Sequence, residues 1–424
     1  MSHALRRALY IEDLEICAAL YQRRREHLER PETRLSDLAE LEDRIDAHVD
    51  ALARGRELAA EVCVEAVDSG DAGRVHAATR ALCRGSDTSV LTRFDARVRE
   101  DPSVGPALES ALALELTDAW ARQLELSLES ATLGPILARA LGCRRITALG
   151  DALTRFVLER KTEVDPAFVW ALGELRHRPA LELLQVLLGR AKRPTLWSTI
   201  AVACLKLKDP RVARLLEKSD AVTRWSPLGQ ALAFEVPGSW LLAELEREPS
   251  TELVTAVALR GASSSFGPLI ELLGERELGA LVAGALFLIT GAPLLEAQDT
   301  STPASGSRLC RDPDLWREWF DEHAREWPSG QRRRFGALVD MPISIAAALC
   351  CAVPITLREA LFDELALRFD EDPGLRPDGP ARIMLEELKP RAARAPVFDA
   401  RSPTKLSGPL SGRFKLRAAP RSRD

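Results

Sequence analysis

The sequence predicts an all-α chain built as an α-solenoid of stacked helical hairpins, and three observations predict it. A helix-ending signature recurs about every thirty residues: Ala140-Leu141-Gly142, Ala171-Leu172-Gly173, Ala203-Cys204-Leu205, Ala258-Leu259-Arg260-Gly261 and Leu288-Ile289-Thr290-Gly291. A fixed period of this size marks a repeat architecture, because a lone hairpin cannot bury its apolar face and must stack on its neighbours. Second, a proline soon follows in five copies: Pro179 after Gly173, Pro210 after Cys204, Pro237 after Glu235, Pro268 after Gly261 and Pro293 after Gly291. Glycine tolerates the left-handed position after a helix, and proline opens the next helix without needing an N–H. Third, the following helix carries apolar pairs at helical spacing: Leu183-Leu184 with Leu187-Leu188, Leu215-Leu216, Leu241-Leu242, and Ile270 with Leu272-Leu273.

Residues 1–131 read as an N-terminal helical region with divergent first repeats. Residues 9–29 are periodic and end in Arg23-Arg24-Arg25 before Pro31. Leu38, Leu41, Ile45, Val49 and Leu52 form the apolar stripe of a second helix, antiparallel to the first. Asp37 with Glu40 resembles a capping pair at its start. Residues 71–86 and 107–130 carry further helical patterns. The repeats occupy 132–296, as five to six copies whose grammar resembles HEAT repeats. Residues 297–311 are polar and Ser/Thr-rich and read as a surface loop. Asp312-Pro313 starts a helix as N-cap and first residue, with Trp316, Trp319, Phe320 and His323 along one face. It opens a C-terminal helical cap over 312–388, with helices near 341–352, 355–369 and 379–388. The tail, 389–424, is rich in Pro, Ser, Gly and Arg and reads as disordered.

Charge is unevenly spread over the 424 residues. The tail holds ten Lys/Arg against two Asp/Glu, leaving 48 against 61 in the body. An acidic body argues against nucleic acid as the main partner, since counterion release needs clustered cations. Eight cysteines fall in no C-x-x-C and read as reduced core thiols of a cytoplasmic protein. Charge-free runs at 278–295 and 341–357 reach the lower length limit for a membrane span. Both hold helix-breaking prolines and read as buried helices.

Catalytic patterns are missing from the sequence. The six histidines make no H-E-x-x-H, and no G-x-S-x-G, phosphate loop or dinucleotide fingerprint is present. The expectation is therefore a binding protein with no catalytic residues, metal or cofactor. Two features offer a binding surface. Ten cations lie between Glu174 and Lys218: Arg176, Arg178, Arg190, Lys192, Arg193, Lys206, Lys208, Arg211, Arg214 and Lys218. Stacking could align those in turns, with His177, into a ridge for an anion or an acidic partner. The plainer reading is solubilising turn residues. Trp170, Trp197, Trp225 and Trp240 recur near one per repeat; core packing explains most, and an exposed one would be an interface anchor.

Several segments together resemble a family of HEAT-like proteins from Gram-negative bacteria often encoded beside type VI secretion components. They are 38–48 (LAELEDRIDAH), 285–291 (ALFLITG), a loop after Glu296, 312–319 (DPDLWREW) and a G-x-R-like turn at Gly330-Gln331-Arg332. The match covers about residues 30–370; the loop is less acidic than the family pattern, and the basic tail lies outside it. The resemblance implies an accessory role in effector loading, with a secretion effector or spike component as protein partner. It carries over no functional residues. The alternative is a HEAT-like nucleic-acid-binding or base-excising protein using the basic ridge 176–218.

Overall fold

The computed structural model describes residues 2–30, 33–85, 90–212, 227–233, 238–296, 308–327, 331–369, 371 and 374–393. Their structure is almost wholly helical. The chain forms two compact units, Met1–Arg25 with Ala39–Trp225, and Glu26–Leu38 with Ser226–Asp424. The division falls between 225 and 226, inside the span read as one run of repeats. Several expectations lie outside the described residues: most of the polar loop, the tail beyond 393, Leu215-Leu216, Pro237, Arg214, Lys218, Trp225 and Gly330.

Helices α1 (His3–Leu28) and α2 (Leu35–Arg54), most of whose residues belong to the first unit, form the expected antiparallel pair. Asp13 meets His48 at 2.8 Å, the Cys17 thiol points at the Ile45 carbonyl, and Arg24 donates to Glu42 at 2.7 Å. Leu38, Leu41, Ile45, Val49 and Leu52 are all buried. Asp37 does cap α2, but from inside: its carboxylate reaches back to the Arg34 N–H at 3.3 Å.

Next come α3 (Arg56–Asp68), α4 (Ala72–Arg84), α5 (Val90–Glu100), α6 (Gly105–Glu115), α7 (Ala121–Ser127), α8 (Leu133–Arg144), α9 (Gly150–Arg160), α10 (Pro166–Glu174), α11 (Leu181–Arg190) and α12 (Pro194–Lys206). The even-numbered helices α4, α6, α8, α10 and α12 pack side by side in chain order, each on the next. Short 3₁₀ turns at Thr147–Leu149 and Arg178–Ala180 lead into the intervening α9 and α11.

The signature glycines do a different job from the one the sequence suggested. Gly142 and Gly173 lie inside α8 and α10, not after them. A Cβ on Gly142 would sit 3.1 Å from the Ala171 Cα, and one on Gly173 would sit 2.9 Å from the Ala203 Cα. They let adjacent helices approach closely. The left-handed position belongs instead to Arg145, Arg176 and Lys208, with φ of 54°, 50° and 60°. Each closes the same Schellman turn. Arg145 and Ile146 donate backbone N–H bonds to Gly142 and Leu141, Arg176 and His177 to Gly173 and Leu172, and Lys208 and Asp209 to Leu205 and Cys204.

In the second unit the glycine half of the expected grammar holds, with Gly261 and Gly291 left-handed at φ 61° and 71°, but Pro293 opens no helix and Pro268 is the third residue of its own. Its elements are α13 (Pro227–Ala233), α14 (Gly238–Arg247), α15 (Thr251–Arg260), α16 (Phe266–Glu271), α17 (Gly279–Thr290), α18 (Pro313–His323), α19 (Met341–Ala348), α20 (Ile355–Arg368) and α21 (Ala381–Glu387). Helices α13, α15 and α17 pack side by side, and α20 packs on all three. Asp312 caps α18 by accepting from the Asp314 N–H at 2.9 Å. Trp316 and Trp319 are buried with Trp327 around Phe266.

Where the sequence suggested a turn at 330–332, the chain makes a hairpin. Strand β1 (Arg333–Arg334) pairs antiparallel with β2 (Ala337–Leu338) across Phe335-Gly336, both at positive φ. The Arg333, Phe335 and Gly336 N–H groups donate to Gly261, Leu288 and Ile289, so the hairpin closes the ends of α15 and α17. No helix among the described residues is long and apolar enough to cross a membrane.

Candidate functional site

Stacking divides the cations between Glu174 and Lys218 into two groups. Helices α10 and α11 form a hairpin, so residues at its turn and residues after it lie at opposite ends. Arg193 shows this directly: its guanidinium bonds the Thr162 and Val164 carbonyls at 3.0 and 2.6 Å, just ahead of α10. Arg190, Lys192 and Arg193 therefore lie near the start of α10, about 13 Å from its end. Arg176, Arg178, Lys208 and Arg211 lie at the other end. One continuous ridge over 176–218 does not form among the described residues.

The second group is joined by Arg145, which the sequence reading did not include. Arg145, Arg176 and Lys208 each follow the last turn of α8, α10 and α12, and the register between neighbours repeats. Gly142 faces Ala171 as Gly173 faces Ala203, and each glycine lies three residues before its left-handed cation. The three cations consequently follow equivalent turns, one per helix. Arg178 and Arg211 are exposed beside them.

Lys206 is not part of this surface. It is buried, and its ammonium is paired with Glu174. Glu174 also lies 4.0 Å from Arg145, so one carboxylate ties charges from three consecutive helix ends. His177 lies half-buried against the backbone of Gly150, with its Nε2 3.1 Å from Asp151. Asp209 is buried and accepts from Gln185 at 2.6 Å and from the Arg211 N–H at 2.9 Å. Trp197 is buried core, not an anchor. Trp170 is half-buried, with the Arg139 guanidinium 4.9 Å above its ring.

The row has a limit. At the ends of α4 and α6, Arg80 and Arg84 meet Asp46, Asp50 and Glu115, three acids for two cations. Arg144 is spent on the Leu116 carbonyl at 3.0 Å.

The left-handed conformation costs an L-residue about 1–2 kcal/mol. A cation beside a helix C-terminus recovers about 0.3–1 kcal/mol from the macrodipole. Glycine would take the same backbone without the steric term, as Gly261 and Gly291 do. Five of the six non-glycine residues at positive φ among the described residues are Arg or Lys: Arg56, Arg145, Lys161, Arg176 and Lys208.

The second unit holds a different concentration of charge. Glu364 is fully buried and accepts from Arg334 at 2.5 Å and Arg332 at 2.7 Å, with Arg368 at 3.7 Å. Burial alone would raise its pKa, but Arg334 and then Arg332 outweigh burial and hold the carboxyl below its ordinary value of 4.5. The same arginines bond helix-end carbonyls: Arg332 and Arg334 that of Leu259, Arg368 those of Leu232 and Ala231. This is a structural network, closed to solvent. The sequence reading missed it because charged residues read as surface.

Other chemistry finds little support. Burial pushes the thiols of Cys17, Cys63, Cys83 and Cys204 up to about 12, so they are inert at neutral pH. A recess of about 10 Å³ near Leu241, Val257, Arg260 and Ser265 holds a water at most. Among the described residues no group of three or more His, Cys, Asp or Glu is arranged to hold a metal. No family model, curated protein or solved structure matches the chain.

Proposed function

We propose that the chain is a HEAT-like α-solenoid that serves as a non-catalytic protein-binding scaffold. The observation that carries this reading is the repetition of one helix-ending geometry. Arg145, Arg176 and Lys208 close the same turn after consecutive stacked helices, and Gly142 and Gly173 hold those helices in the same register. Repeated units of this kind present an extended surface for a partner without further machinery. The resemblance at 38–48, 285–291 and 312–319 directs the reading further, to a cytoplasmic adaptor or chaperone for a type VI secretion effector or spike component.

A nucleic-acid-binding or base-excising role is the second reading, and the cation row is what favours it. The acidic body counts against it, as do Glu174, Asp151 and Asp209 among the cations. The test is purification of the tagged protein from its native host, full-length and truncated before Lys389, with co-purifying proteins identified by mass spectrometry. Recovery of one secretion effector or spike protein with both forms is the expected result. Nucleic acid in the eluate, with no specific protein partner, would sink the scaffold reading.

A further inference from the structure

We infer that the seam between α1 and α4, closed by the Tyr21–His76 stack, is an acid-sensitive latch: a proton on His76 loosens α1 from α4 while the rest of the first unit stays folded. The latch does not depend on what the scaffold binds.

Three contacts in step make the seam. Glu15 pairs with Arg74, Ala18 lies on Gly73, and Tyr21 stacks on His76 with ring centroids 3.9 Å apart. The first is an exposed ion pair, which adds little. At the second, a Cβ on Gly73 would lie 2.8 Å from the Ala18 Cα, so the backbones meet with little side-chain surface between them. Tyr21 and His76, 5% and 2% exposed, supply the large buried surfaces.

The polar side of this contact is poorly satisfied. His76 Nδ1 is buried without a hydrogen-bond partner, and so is the Thr79 hydroxyl one turn further along α4. A protonated ring has two donors to satisfy and a charge to offset. The charged groups that act on it are Arg80 of its own helix and Arg24 of α1, both positive. The carboxylates nearby are turned to those arginines: Glu42 of α2 to Arg24, and Asp46 of α2 with Glu115 of α6 to Arg80. Glu109 of α6 is bonded to Arg139, and the α3 carboxylates Glu57, Glu61, Glu65 and Asp68 are exposed. Burial, then Arg80 and Arg24, accordingly hold the ring well below its ordinary 6.5.

The other histidines of the first unit are placed differently. His3 is exposed, His48 meets Asp13 at 2.8 Å, and His177 lies 3.1 Å from Asp151. A proton on any of them is solvated or meets a carboxylate. Acid therefore strains the unit at one place, and that place is the end of its stack. Beyond α4 come α6, α8, α10 and α12, each packed on the next. In such a stack each member feels only its neighbours, so opening at α1 stops short of α10. Asp46 and Asp50 hold α2 to α4 through Arg80 and Arg84, by contacts that the His76 proton does not replace.

The test reads segments of the full chain separately, by hydrogen exchange with mass spectrometry between about pH 7.5 and about pH 5.5, corrected for the intrinsic effect of pH on exchange. His76 is neutral with the seam closed and protonated with it open, so the closed form is favoured above about 6.5 and loses about tenfold for each pH unit below it. A helix off its seat frays, because isolated helices are marginal in water. Protection of peptides from 14–25 should therefore fall about tenfold at the lower pH, while that of 166–174 in α10 holds. His76→Phe keeps a ring against Tyr21 without a titrating nitrogen, and His76→Gln is the smaller neutral replacement if the new ring crowds the site. In either, the fall should vanish. Protection of 14–25 that ignores pH would overturn the latch, and so would the same fall in the neutral variants. Loss of protection in α10 in step with α1 would also overturn it, since the unit would then be unfolding as a whole.

Discussion

Replacing Gly173 by alanine should destabilise the first unit, although the same exchange at Gly189 should stabilise it. Both glycines are helical, in α10 and α11. At Gly189 a new Cβ meets nothing within 4 Å, so only the helix preference for alanine is felt, a gain of about 0.5–1 kcal/mol. At Gly173 the Cβ would lie 2.9 Å from the Ala203 Cα and 3.0 Å from its Cβ. Carbon contacts are comfortable from about 3.5 Å, so α10 and α12 must move apart by about half an ångström. Overpacking of this kind costs about 1–3 kcal/mol against a propensity gain of about 1 kcal/mol, for a net loss of about 0–2 kcal/mol. The two variants should therefore differ by about 1–3 kcal/mol. Both lie in the same unit, so one urea transition followed by circular dichroism reports both, and an unchanged slope certifies that stability alone has moved. If Gly173→Ala stabilises the protein as much as Gly189→Ala, close helix approach is not what the signature glycine provides.

Four further outcomes are expected. Glu364→Gln leaves Arg334 and Arg332 buried without their counter-charge and should cost the second unit about 3–5 kcal/mol in urea unfolding. Arg334 and Arg332 hold the folded pKa of Glu364 below 4.5 despite its burial, so its stabilisation is present above that pH and is lost as pH falls through the folded value; tryptophan fluorescence in an acid titration checks it. His76 is buried against Tyr21, and burial, then the Arg80 and Arg24 charges, hold it well below 6.5. It is neutral when folded and protonated when unfolded, so the first unit should lose up to about 1.4 kcal/mol per pH unit below about 6.5, a slope that His76→Phe should flatten in urea melts. Asp312→Ala removes the α18 cap and should lower second-unit stability by about 1 kcal/mol, read from the same denaturant curve.

The helices were legible in the sequence because burial follows periodicity: the stripe from Leu38 to Leu52 and the Asp312-Pro313 start appear where expected. The role of the signature glycines was not, since a glycine near a helix end satisfies two different needs. The residue that could have separated them lies three positions on, where Arg145 and Arg176 repeat at the same interval as the glycines. The cation ridge was half legible. A window along the chain counts Arg190 and Arg176 together, while an antiparallel hairpin sends them to opposite ends. Arg334, Arg358 and Glu364 were illegible, because a charge is read as exposed until its buried partner is known. The hairpin at 333–338 carries two arginines and no alternation, so nothing marked it as strand.

The membership of residues 26–38 in the second unit sets an order for making the protein. The Arg358 guanidinium, fully buried, bonds the Leu28 carbonyl at 2.7 Å across 330 positions of chain. Leu28 leaves the ribosome 330 positions ahead of its arginine. At about 5–20 residues per second, the interval is about 15–65 s. During it the first unit's helices through α12 are all available to fold, while the end of α1 waits without the residues that will cover it. A nascent chain released early would therefore carry a finished first unit and an exposed segment, Glu26–Leu38, for quality-control factors to find.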